Sequence, residues 1–172
     1  MAGSQPTAPF KRAVLGLNGG PTDKLVVKLG CDLGRPSKAE LIAIHVVEVD
    51  WSHELSDDLA STSERASTVL DMAEGFAEKY GTPLQPELLQ ARDVGAALVD
   101  EAAELGADLI ILGLPFRKKF GGDFAIGRTV PYVFQNAHCG VLVAREPIAS
   151  SEARGDDQQV ATGAGIGAGD RV

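Results

Sequence analysis

The chain predicts a doubly wound α/β fold, a five-stranded parallel sheet with helices on both faces. Apolar, β-rich runs alternate with segments of helical spacing along most of its length. Several of those runs, such as ELIAIHVVEV and DLIILGL, are continuously apolar, which is what burial on both faces of a sheet produces. A glycine-bounded loop between Gly113 and Gly127 then feeds a helix placed between the last two strands.

The elements follow in order. Residues 1–10 are rich in small residues and proline, carry no periodicity, and read as a flexible lead. The first strand is expected at Ala13–Leu17 and the first helix from about Thr22 to Gly34. Strand Glu40–Val49 comes next, so that two parallel strands flank a crossover helix. From about Leu59 to Tyr80 the apolar positions Val69, Met72, Ala73, Phe76 and Tyr80 keep helical spacing until Gly81 and Pro83 stop the helix. Leu84–Ala91 reads as the third strand, Asp93 as an N-cap, and the following helix ends at Gly106. Leu109–Leu112 is the fourth strand, about Arg128 to Ala137 the last helix, and Val141–Ala144 the fifth strand.

The ordered domain is expected over residues 11–146. Residues 147–172 have few large apolar groups and read as a disordered tail. The glycine-rich piece from Gly163 to Gly169 follows no strand and opens no helix, so it lacks the context a phosphate loop requires.

Composition narrows the function classes. With 172 residues, 44% hydrophobic and 23% charged, the chain suits one globular domain plus tails. No apolar run approaches the ~20 residues that cross a bilayer, and the N-terminus lacks a secretory apolar segment. A soluble, cytoplasmic protein without membrane insertion is expected. A net charge of −8 argues against nucleic acid as a partner. Cys31 and Cys139 sit in apolar segments without metal-ligand spacing and read as buried reduced thiols.

Ligands of open α/β sheets bind beyond the carboxyl ends of the strands, where strand order reverses. Two segments are candidates for that place. One is Leu17-Asn18-Gly19-Gly20-Pro21-Thr22 after the first strand, where the glycines allow close backbone approach and Thr22 is available to cap the helix. The other is the loop from Gly113 to Gly127, which carries Arg117, Lys118 and Lys119 and opens into the helix at Arg128 and Thr129. Free N–H groups, the positive end of a helix dipole and cations gathered in one space suit phosphate. Ordinary turn roles for Asn18-Gly19 and for Gly127–Thr129, and a solvated loop tip for the cations, remain the bland alternatives. His45, inside an apolar strand, reads as a hydrogen-bonded core residue. No strained G-x-S-x-G elbow, HExxH pair or complete Walker loop occurs, so no catalytic residue and no metal ligand is assigned.

The Asn-Gly turn after the first strand, the IHVVEV strand, the IILG strand end and the GRT…NAHCGVLVAR finish resemble the universal stress protein family across roughly residues 11–146. IHVVEV, ELLQAR, DLIILGLP and GRTVPYVFQNAHC are most similar to the version appended to bacterial amino-acid permeases and related cation transporters. The resemblance implies an adenine nucleotide alpha-hydrolase-like fold with strand order 3-2-1-4-5. It also implies a homodimer through the last strand (Val141, Leu142, Val143), a membrane transporter as partner, and a nucleotide site at Gly16, Leu17, Asn18, Gly19, Val46, Gly113, Phe116, Gly127, Arg128, Thr129 and Val130.

The family's nucleotide binders carry Gly-x-x-Gly, a nine-residue spacer, then Gly-Ser or Gly-Thr. Here Gly113 fits the first glycine, Phe116 replaces the second, and Gly127 falls one position late, followed by Arg128 before Thr129. Phe116 obstructs the phosphate path or stacks on a base. Asn18 stands where the family commonly has Asp, removing a charge near a nucleotide's metal, and the cations compensate phosphate directly. The implied ligand is an adenine nucleotide, with a mono- or cyclic nucleotide such as AMP, cyclic AMP or cyclic di-AMP favoured over ATP and Mg2+ not essential. The implied role is non-enzymatic sensing coupled to a transporter. A nucleotide-independent dimeric scaffold is the alternative, and a slow ATPase the third.

Overall fold

The computed structural model describes residues 9–51, 60–115 and 126–147. In chain order these form β1 (Arg12–Leu17), α1 (Asp23–Gly34), a 3-10 turn (Arg35–Ser37), β2 (Glu40–Glu48), α2 (Ala60–Glu78) and β3 (Gln85–Ala91). α3 (Val94–Glu104), β4 (Leu109–Leu114), α4 (Thr129–Asn136) and β5 (Gly140–Arg145) complete them. The strands make one sheet in the order β3-β2-β1-β4-β5, and every neighbouring pair is parallel. That is the architecture and the strand order expected from the sequence, with element ends shifted by a few residues at most.

The alternation of side chains along β1 divides the core. Leu15 faces Val26, Val27 and Cys31 of α1 and Ala73 of α2, whereas Val14 joins Leu98 and Val99 of α3 and Val133 of α4 on the other face. Both faces of the central strands are therefore dry, which is why their sequences read as unbroken apolar runs. At the amino ends of the strands, the Asp108 carboxylate accepts hydrogen bonds from the N–H groups of Lys11 (2.7 Å) and Arg12 (3.1 Å), tying the start of β4 to that of β1. Arg12 also pairs with Glu40 at 2.7 Å and donates to the Leu105 carbonyl.

Two local expectations are corrected. Thr22 does not cap α1. Its backbone is already helical (φ −79°, ψ −12°), its side chain makes no capping bond, and it lies fully buried with Oγ1 lacking a hydrogen-bond partner. Asp23 organises the turn instead, because two carboxylate oxygens reach back to the N–H groups of Asn18 (3.2 Å) and Gly19 (2.8 Å). Cys31 is buried as expected, but Cys139 is only half-buried at the turn before β5.

Candidate functional site

β1 is the strand from which the chain turns outward on both sides, to β2 on one side and, after β3, to β4 on the other. The carboxyl ends of β1 and β4 consequently part, and a cavity of about 340 Å³ opens between them. Its wall takes Gly16, Leu17 and Asn18 from the end of β1, Gly113, Leu114 and Pro115 from the end of β4, and Ile126 to Val130 from the entry to α4. Val94 and Leu98 of α3, with Leu112 of β4, close the apolar depth.

Glycine at position 16 is needed at that depth: a Cβ there would lie 2.6 Å from Leu112 Cδ2 and 3.2 Å from Leu98 Cδ1. At the rim, Gly127 adopts φ +79°, a left-handed turn that aims the chain into α4. Arg128 stands at the N-cap position without a side-chain capping bond, so no side chain claims the first-turn N–H groups of α4 by capping. Pro131 supplies no N–H, which leaves Thr129 and Val130 to present theirs beside the cavity. Asn18 Oδ1 accepts from the Gly20 N–H at 2.8 Å, fixing the strand-to-helix turn.

The charges at the rim are paired. Arg128 Nη2 lies 2.9 Å from Glu48 Oε1, bridging α4 to the end of β2. Burial pushes the Asp23 carboxyl above the ordinary carboxylate range, while the Asn18 and Gly19 N–H donors and the positive influence of His45 pull it back. His45 Nδ1 meets the Leu17 carbonyl at 3.0 Å, so this histidine is held by a hydrogen bond inside the sheet, as its place in an apolar strand suggests.

Of the residues assigned from sequence, Gly16, Leu17, Asn18, Gly113, Gly127, Arg128, Thr129 and Val130 come together around the one cavity. Two do not. Val46 packs in the core with Leu98 and Val130 and is absent from the wall, because its position on β2 is covered by the α3 and α4 side chains. Gly19 faces a second cavity of about 420 Å³ between α1 and α2, since the chain has already turned away from β4 there. Phe116, Arg117, Lys118 and Lys119 lie outside the described residues. Sequence reasoning missed Val94, Leu98 and Leu112, whose apolar character is the same whether they fill a core or line a cavity.

An apolar depth of this size, with uncapped backbone N–H groups and an arginine at one end, suits a ligand that joins a flat, weakly polar body to an anionic group. Among the described residues no group of three His, Cys, Asp or Glu side chains is placed to hold a metal ion. No helix among them is long and apolar enough to cross a membrane.

Comparison with known proteins identifies relatives of the chain and of its fold. A universal stress protein of Methanocaldococcus jannaschii is 28% identical over 147 residues, spanning 80% of this chain and 84% of that protein. The fold is shared with the Archaeoglobus fulgidus universal stress protein in complex with dAMP (TM-score 0.62, 16% identity, 77% of this chain and 95% of that one). It is shared as well with a universal stress protein family member of Arabidopsis thaliana with AMP bound (TM-score 0.60, 12% identity, 85% of this chain and 97% of that one). The match to the family extends over residues 9–145, the span that supplies all five strands and every wall of the cavity, and the chain belongs to the universal stress protein family.

Proposed function

We propose that the chain is an adenine-nucleotide-binding module whose ligand occupies the cavity between β1 and β4. The observation that carries this is convergence: an apolar depth sized for a base adjoins the uncapped first turn of α4 and Arg128 at one end of the same space. Solved relatives holding dAMP and AMP support the choice of adenine. In this reading Leu98 and Leu112 flank the base, Asn18 contacts the sugar, and the Thr129 and Val130 N–H groups receive phosphate.

The ligand is a mono- or cyclic nucleotide, and the module works by occupancy. The sequence offers no nucleophile elbow or Walker loop for turnover, and Asn18 in place of a carboxylate makes magnesium dispensable. Its output is regulation of an amino-acid or cation transporter, a reading that rests on the likeness of IHVVEV, ELLQAR and GRTVPYVFQNAHC to transporter-appended family members.

Calorimetric titration of nucleotide-free protein with ATP, AMP, cyclic AMP and cyclic di-AMP, each with and without magnesium, tests the proposal. Micromolar or tighter binding of AMP or a cyclic nucleotide, unchanged by magnesium, is the expected result. Gly127→Trp should abolish it by filling the cavity mouth; affinity that survives this change places the ligand elsewhere. Heat from none of the four points to a nucleotide-independent scaffold. Phosphate release from ATP above a protein-free control would make the module an ATPase.

A further inference from the structure

Arg128 is the one charged residue in the described wall of the cavity, and in the empty module it is already engaged by an acidic side chain. Its guanidinium meets the Glu48 carboxylate at 2.9 Å across the rim. Glu48 is the last residue of β2, outside the cavity wall, and its side chain is 47% exposed; that of Arg128 is 79% exposed. Both partners are thus solvated, and the pair is one that a competing anion can open at small cost. A phosphate seated at the first turn of α4 would lie beside Arg128 and would meet the negative charge of Glu48 already there.

We infer that Glu48 is a specificity residue that occupies Arg128 in the empty module and discriminates against the phosphate of an incoming nucleotide, so that the nucleoside supplies most of the affinity. This rests on the assignment of the cavity to a nucleotide. Occupancy by a phosphate-bearing ligand then releases Glu48 from Arg128, and the end of β2 differs between empty and filled states by one broken ion pair.

The test compares adenosine, AMP and cyclic AMP as titrants of the wild-type chain and of Glu48→Gln, Arg128→Gln and the double variant. Removing the Glu48 charge should strengthen AMP and cyclic AMP by about two- to fivefold, the range that an exposed pair spans, and leave adenosine unchanged. Arg128→Gln should weaken AMP and not adenosine. In the Arg128→Gln background the gain from Glu48→Gln should shrink, because the competition for the guanidinium is gone. An AMP-to-adenosine affinity ratio that Glu48→Gln leaves unchanged or lowers overturns the inference while the nucleotide site stands. Failure of all three ligands to bind the wild-type chain overturns both.

Discussion

A Cβ placed on Gly113 would come 2.4 Å from Thr22 Oγ1 and 2.7 Å from its Cβ, so a glycine read from sequence as part of a phosphate loop has a packing reason to be there. Gly113→Ala should cost about 1–3 kcal/mol through this overlap, measured by denaturant unfolding. Pairing it with Thr22→Ala removes the Oγ1 overlap and leaves the 2.7 Å contact with Cβ, so it should recover only part of the loss, and a double variant no more stable than Gly113→Ala would show that the hydroxyl is not the clashing group. The same threonine hides a hydroxyl without a partner. Replacing it by the near-isosteric valine should stabilise the chain by about 1 kcal/mol, since a buried unmade hydrogen bond costs more than a methyl group in its place. Asp23 adds a pH dependence of defined sign. Its folded-state pKa is raised by burial, so the unfolded chain ionises first and the stability linked to this group falls as pH rises from the ordinary carboxylate value through the raised one. The stability advantage of wild type over Asp23→Asn should therefore be largest at the acid end of that window and shrink above it; an advantage that grows with pH would contradict the assignment.

Among elements, α3 joins the fold to the site most directly. Its N-cap is Asp93, whose Oδ1 accepts from the Ala96 N–H at 2.8 Å, and its first turns carry Val94 and Leu98 into the cavity wall. Asp93→Ala should lower stability by about 1 kcal/mol and weaken nucleotide binding with it, because the lost cap frees the turn that holds Val94; full affinity in a destabilised variant would separate the two. This cap was legible in the sequence, since an aspartate directly before an apolar helical run has few other roles. The strands were legible for a similar reason: runs such as LIAI and LIIL are buried on both faces, and that burial is written into every residue. Thr22 was misread because capping is decided by backbone angle, and its backbone is already helical (φ −79°, ψ −12°), so its side chain is not placed to reach the first-turn N–H groups. Val46, assigned by the family resemblance, packs in the core and not in the cavity wall, a difference of height along β2 that its apolar identity does not reveal. The cavity wall from α3 was invisible because Val94 and Leu98 have the identity that any core position would take. The Glu48–Arg128 pair spans 80 residues of chain, and no local pattern announces it.

At the scale of the molecule, the two edges of the sheet differ. The β3 edge carries Pro86 and Glu87, devices that discourage pairing with another strand. The β5 edge reads GVLVAR, with half-buried Val141, Leu142 and Val143 and neither proline nor a charge before its last residue. Side chains of these three reach both core faces, Leu142 on the α1 side and Val141 and Val143 on the α3 side, so the strand is well anchored while its outer row of backbone groups has no neighbouring strand among the described residues. Such an edge is a template for a second copy of itself. Light scattering should accordingly give about twice the 18.0 kDa chain mass, falling toward the monomer on dilution. Leu142→Lys should shift that equilibrium toward monomer, since a charged edge resists pairing, and the lysine stem can still cover the core as its amine turns outward. A mass of one chain at every concentration would leave β5 as a free edge, and a dimer unmoved by Leu142→Lys in a protein that melts as wild type does would place the contact on another surface.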